Sequence, residues 1–191
     1  MDLIVKIMTD ISNIEAAILG LLYEHSHHGY ELEKIIEERG MRNWTDIGFS
    51  SIYYVLKKLE DKELVVNELE KVSGKPSRKV YTITYQGKLM MQDKSRELLS
   101  ENIKLISPFD TGVAYMDILT PNKAIEYLTS YRSSTEKRIK FLENSVEMHQ
   151  NINSPFNVIA LFSRPLAMLK AEKTWINEFI EEIKAHNDME D

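Results

Sequence analysis

The chain has 191 residues, 43% of them hydrophobic and 9% aromatic, enough apolar material for one large or two small packed domains, which excludes a disordered chain. It has no cysteine, which excludes a disulfide framework and any thiol or cysteine-zinc site and suits a reducing cytoplasm. Its net charge of −6 argues against non-specific nucleic-acid binding by the chain as a whole, so any such surface has to be local.

In chain order, the first expected helix runs from Ser12 to Glu24. Ser12 is a natural N-cap, Glu15 follows three residues later as in a capping box, and Ile14, Ile18, Leu21 and Leu22 recur at helical spacing. The stretch HSHHG breaks it. A second helix is expected over 30–39, with Leu32, Ile35 and Ile36 inward and Gly40 at its end. A third starts at Ser50 or Ser51, both good N-caps, and ends near Lys62. The period then becomes alternating, so 64–72 and 79–84 read as two strands around the turn SGKPSR, and a fourth helix covers 85–100. Pro108 and FDTG mark a boundary, dividing the chain into domains at 1–100 and 101–191. Thr120 and Pro121 open a long helix to about His149. NINSPFN reads as a loop, and Pro165 as the start of a last helix. There Leu166, Leu169, Ile176, Ile180 and Ile183 form an apolar stripe, widened by Trp175 and Phe179, that needs a partner.

The third helix carries SSIYYVLKKLEDKEL from Ser50. At 100° per residue, Ile52, Val55, Leu56 and Leu59 converge on the core side. Ser50, Tyr54, Lys57 and Lys58 face away, with Tyr53 on the flank and Asp61 further back. Hydroxyls, phenols and ammonium groups on the first two turns suit a helix entering a major groove by its N-terminal end. A solvated, charge-laced face explains this helix alone equally well. The hairpin decides between the two. Residues 71–88 hold four lysines and Arg78 with no acid, a local charge of +5. Lys75, Ser77, Arg78 and Lys79 lie at or beside the turn, where a projecting ribbon reaches the DNA backbone or minor groove. The expected fold class is therefore mainly α: an N-terminal winged helix-turn-helix with a two-stranded β wing, followed by an α-helical domain.

ILGLLYEHSHHGYELEKII, SSIYYVLKKLEDKELV and GKPSRKVYTITYQGKLMM, in that order and spacing, resemble the PadR family of transcriptional regulators over roughly residues 14–99. The resemblance implies a winged-helix repressor that dimerises through its C-terminal helical domain. It places Ser50, Ser51, Tyr53 and Lys57 on the recognition helix and Lys75, Pro76 and Arg78 on the wing. Tyr54 stands where family members often carry proline or another residue. Gly29 and Gly87 match family glycines and read as backbone requirements at helix starts.

His25, His27 and His28 look like a metal tract, but without cysteine they make a weak site, and the resemblance explains His28 structurally. No isolated carboxylate pair and no phosphate-cradling glycine loop is present, so neither an enzyme nor a cofactor is expected. Trp44, Phe109, Tyr115, Trp175 and Phe179 read chiefly as core or interface, with a small aromatic or apolar effector as the minority reading. No secretory signal is expected in MDLIVKIMTD, and the most apolar stretch, 14–23, is too short to span a bilayer, so no membrane partner is expected. The functional expectation is a cytoplasmic, sequence-specific DNA-binding regulator, a dimeric ligand-responsive repressor on a pseudo-palindromic operator. The alternative is a winged-helix protein–protein adaptor. Leu166, Leu169, Ile176, Phe179, Ile180 and Ile183 are the expected dimerisation residues.

Overall fold

The computed structural model of the protein describes residues 11–48, 51–70, 77–102, 104 and 106–190. Helix α1 spans Asn13–Glu24, and the expected capping box is present. The Glu15 N–H donates to Ser12 Oγ (3.2 Å) and the Ser12 N–H donates to Glu15 Oε2 (2.7 Å). Two groups at the start of α1 that would otherwise lack partners are thereby satisfied. Glu15 is buried and also accepts from Lys62 Nζ at 2.9 Å. Burial alone would raise its carboxyl, but the Ser12 backbone N–H and the Lys62 ammonium hold it below the ordinary value.

A two-residue strand β1, His27–His28, follows, then α2 over Gly29–Glu38 and a 3-10 turn at Met41–Asn43. Helix α3 covers Ile52–Asp61, strands β2 and β3 cover Val65–Glu70 and Arg78–Ile83, and α4 covers Tyr85–Ser100. The antiparallel sheet has the order β1-β3-β2, with His28 opposite Val80 and Glu70 opposite Arg78. The sequence shows β1 only as a helix break. Two residues cannot display alternation, and their partner strand lies far along the chain.

The core beneath this sheet is built from Ile18, Leu19 and Leu22 of α1, Leu32 and Ile36 of α2, and Ile52, Leu56 and Leu59 of α3. Leu64, Val65, Tyr81 and Ile83 close it from the ribbon side. Two glycines mark close approaches. A Cβ on Gly87 would lie 2.2 Å from the Leu64 carbonyl oxygen, and one on Gly29 would lie 2.6 Å from the Tyr53 ring. Gly87 therefore needs a residue without a side chain, whereas at Gly29 the exposed Tyr53 ring would have to shift. The chain divides into two compact units, Met1–Ile103 and Lys104–Asp191.

In the second unit, Pro108–Ala114 forms a short helix α5 where a bare boundary was expected. Asp110, Thr111 and Gly112 are weak helix formers, but Pro108 at the first helical position and Ser107 Oγ accepting from the Phe109 N–H (3.2 Å) start the turn. Packing of Phe109 against the following helices then outweighs propensity. Helix α6 spans Pro121–Asn151 and α7 spans Phe156–Glu190. They pair antiparallel, with Tyr131 bonded to Glu172 and Glu143 to Lys170. The last helix thus begins nine residues before the expected proline, and Pro165 lies inside it. The effective start signal is Ser154-Pro155: the Pro155 carbonyl accepts from the Val158 and Ile159 N–H groups. Buried Phe162, stacked on His149 at 4.7 Å, holds the turns upstream of Pro165 in the helix.

Candidate nucleic-acid interface

Helix α3 buries Ile52, Val55, Leu56 and Leu59 and turns its other face to solvent, as the 100° projection requires. Tyr53 and Tyr54 are each 63% exposed, and Lys57 and Lys58 are exposed beside them. Lys58 Nζ sits over the Tyr54 ring, 4.9 Å from its centroid. Lys57 Nζ donates to Asp61 Oδ1 at 2.7 Å, and that carboxylate raises its pKa. The Lys57 cation is therefore partly compensated one turn further along the helix. Ser51 occupies the N-cap position, but its hydroxyl donates to the Gly48 carbonyl (2.7 Å) instead of capping α3. Ser51 thus gives α3 no side-chain cap, and the dipole at this helix start favours a phosphate. Ser50 lies outside the described residues.

On the wing, Ser77, Arg78 and Lys79 are exposed at the start of β3, whereas Lys75 and Pro76 lie outside the described residues. Alternate strand residues face opposite sides, so Arg78 and Lys79 leave the ribbon on opposite faces. Strand β2 is more acidic than the hairpin's basic turn suggests, since Glu68 and Glu70 lie opposite Val80 and Arg78.

Arg78 has a partner that sequence reasoning missed. Its guanidinium lies over the Tyr30 ring at 5.0 Å, and Tyr30 in turn stacks on His28 at 5.4 Å with 15° between the rings. His28 Nε2 faces Glu70 Oε2 at 3.0 Å, and His28 Nδ1 is 3.0 Å from the Lys79 carbonyl oxygen, to which it donates. One imidazole therefore ties both wing strands to the start of α2, and Tyr30 supports Arg78 from below. The Glu31 carboxylate accepts from the His28 N–H (2.9 Å), which holds its pKa below the ordinary value. The one available signal is HHGY itself, paired aromatic residues at a helix start. Among the described residues no group of three or more histidines and carboxylates is placed to hold a metal ion.

In the second unit Ile176 is fully buried, and Ile180 and Ile183 nearly so, all packed against Leu128. Leu166, Leu169 and Phe179 are half-buried. Packing within one chain thus already accounts for the three isoleucines of the expected dimer stripe. Trp44, Tyr115 and Trp175 are exposed, and Trp175 joins Phe109 and Phe179 in one aromatic cluster with Tyr131. Among the described residues no helix is long and apolar enough to cross a membrane.

This arrangement has close structural counterparts. PadR from Bacillus subtilis, solved in complex with operator DNA, superposes with a TM-score of 0.74 at 21% identity, covering 90% of this chain and 99% of that one. The same protein in complex with p-coumaric acid gives 0.72 at 20% identity, covering 90% and 98%. The Vibrio cholerae virulence activator AphA gives 0.70 at 16% identity, covering 91% and 99%. In sequence, an uncharacterised protein X of Lysinibacillus sphaericus is 32% identical over 85 residues, which cover 44% of this chain and 77% of that protein. The model of the transcriptional regulator PadR-like family matches residues 18–93, the segment that builds α2, α3 and the wing. With that match and a shared winged-helix fold, the chain belongs to the PadR-like family of transcriptional regulators.

Proposed function

We propose that the protein is a sequence-specific, dimeric, ligand-responsive repressor that binds a pseudo-palindromic operator in the cytoplasm. In this reading residues 1–100 bind DNA and 101–191 dimerise. The observation that carries it is the placement of Tyr53, Tyr54, Lys57 and Lys58 on the open face of α3, in the same unit as the exposed Arg78 and Lys79. These cations stand in a chain of net charge −6, so their grouping is local. Tyrosines and lysines on the exposed helix read base edges and phosphates, the N–H groups at its start take a phosphate, and the wing cations fix register along the backbone. Ser50, Ser51, Lys75 and Ser77 complete the proposed contact set.

Dimerisation presents two recognition helices to half-sites at least one helical turn apart. The surface suited to it lies at the turn end of the α6–α7 hairpin, where Phe141, Met148, Ile152, Phe156 and Met168 are exposed. Leu166 and Leu169 continue it, whereas Ile176, Phe179, Ile180 and Ile183 lie further along α7 in the cluster with Leu128. Ligand response is supported by the p-coumaric acid complex of the B. subtilis relative.

The test is binding to duplex fragments from the protein's own promoter and to random duplex as salt is raised. Counterion release predicts a log–log slope of about −0.9 per phosphate contacted, with promoter DNA held more tightly than random DNA at every salt concentration. Salt-insensitive or absent binding would favour the adaptor reading. A promoter-reporter fusion that rises when the gene is deleted identifies repression, and one that falls identifies activation.

A further inference from the structure

Helix α5 and the 3-10 turn Met116–Ile118 lie back on the α6–α7 hairpin, with Phe109 and Met116 packed against Leu128, Ile176 and their neighbours. They do not close over it. A cavity of about 270 Å³ remains, walled by Phe109, Met116, Tyr127 and Tyr131, with Gly112 on its rim. Its aromatic lining continues onto α7. Phe109 and Tyr131 lie 4.5 Å apart, Trp175 meets Phe109 edge-on at 6.1 Å, and Trp175 stacks on Phe179 at 4.8 Å.

The cavity wall itself carries no charged side chain, but the carboxylates of Glu172 and Asp110 lie near its Tyr131 phenol. Tyr131 Oη donates to Glu172 Oε1 at 2.8 Å. Burial, that hydrogen bond and the charges of Glu172 and Asp110 push the phenol up to about 12, so it stays protonated at neutral pH. Residues 108–131 contain Asp110, Asp117 and Glu126 against one cation, Lys123, which is paired with Glu126 at 2.8 Å. Further along the hairpin, Arg132 donates to Asn177 at 3.0 Å and Lys173 pairs with Glu136 at 2.9 Å.

We propose that this cavity binds a small aromatic cation, an arylalkyl amine or quaternary ammonium, with its ring among Phe109, Tyr127 and Tyr131 and its charge toward Asp110 and Glu172. The volume suits a ligand of one or two rings. Aromatic faces attract cations and repel anions, and the nearby carboxylates add to the same preference. A carboxylate ligand would lose its water against an uncharged, largely aromatic wall with no cation to receive it, while the Asp110 and Glu172 carboxylates act on the same Tyr131 phenol. The site deepens the ligand-response part of the proposed function and rests on it only for the regulatory consequence; binding itself is a separate property.

The experiment uses the full-length protein and three probes of similar size: benzyltrimethylammonium, neutral 4-ethylphenol and anionic p-coumarate. Calorimetry gives affinity and stoichiometry, and fluorescence of a Trp44→Phe variant reports on Trp175. The cation is expected to bind once per chain, roughly tenfold tighter than the neutral probe, with no saturable binding of the anion. A Cβ on Gly112 meets no heavy atom within 4 Å, and leucine favours helix, so Gly112→Leu fills the void without disturbing the fold. That variant should keep the wild-type melting curve and DNA affinity while losing the cation. Asp110→Asn should cut the preference for cation over neutral probe about fivefold.

Equal binding of cation and anion, retention of the cation by Gly112→Leu, or no saturable binding of any probe overturns the site. If no probe binds and Gly112→Leu lowers the mass seen by light scattering, the cavity belongs to an interface with a second copy, and the proposal also fails. If the cation binds as described but leaves DNA affinity unchanged, the site stands and ligand response falls.

Discussion

Tyr30 shows how one side chain shapes a surface it need not itself form. Its ring lies between His28 and the Arg78 guanidinium, so it limits where Arg78 can point. An exposed cation–π contact is worth about 0.5–1 kcal/mol. Tyr30→Ala should therefore weaken DNA binding about two- to fivefold and lower stability by about 1 kcal/mol or less, while Tyr30→Phe keeps the ring and the affinity. A gel-shift titration checks both; equal losses in the two variants would assign the effect to the hydroxyl. Tyr53, Tyr54, Lys57 and Lys58 are legible as an outward face because helical period alone dictates that four neighbours turn inward. The Tyr30–Arg78 support is not, because it joins a helix start to a strand 48 residues later through ring geometry that no spacing encodes. Ser51 misleads for a related reason. Its side chain fits a cap, but the Gly48 carbonyl is the acceptor it finds.

The elements divide by whether their signals are local. Helix α1 is readable to the residue, since both halves of its capping box lie within three positions. That box also makes stability pH-dependent. The Glu15 carboxyl is held below its ordinary value in the folded chain, so the unfolded chain binds its proton first as pH falls. The stabilisation is complete above the unfolded-state pKa and is lost as pH drops through the folded one. Urea midpoints measured from about pH 6 down to about pH 2 should fall along this course. Glu15→Gln should cost about 1–2 kcal/mol at neutral pH and flatten the acid limb. The start of helix α7 is misread from sequence because proline usually marks a boundary, whereas here Phe162, stacked on His149, holds the turns upstream of Pro165 in the helix. A proline inside a helix costs up to about 3 kcal/mol relative to alanine. Pro165→Ala should thus raise the melting temperature of the 104–191 unit; a lower one would mean that the ring packs better than the restored hydrogen bond.

For the whole molecule, the two-part organisation is legible because the composition changes character near Pro108, while the burial of the isoleucine stripe within one chain is not. A stripe of isoleucines looks the same whether it meets its own chain or a copy, and here Leu128 of the same chain takes it. The apolar residues at the hairpin turn stay open to solvent instead. Phe156→Asp with Met168→Asp should therefore yield a folded monomer by light scattering, with operator affinity lowered by at least about tenfold. Ile176→Asp should instead unfold the hairpin by burying an unpaired charge. Strand β1 also bears on how the chain comes apart. It joins His28 to Lys79 across 51 residues, through two residue pairs only. Closing so long a loop is slow and its return is small, so this pairing forms after the helices that surround it. It is also the easiest contact to release. Amide protons shared by β1 and β3 should exchange with solvent through openings far less costly than global unfolding, while those of α1 and α3 wait for the whole unit. Strand β1 is thus a separately opening part of the molecule, able to leave β3 while the core that carries α3 stays intact.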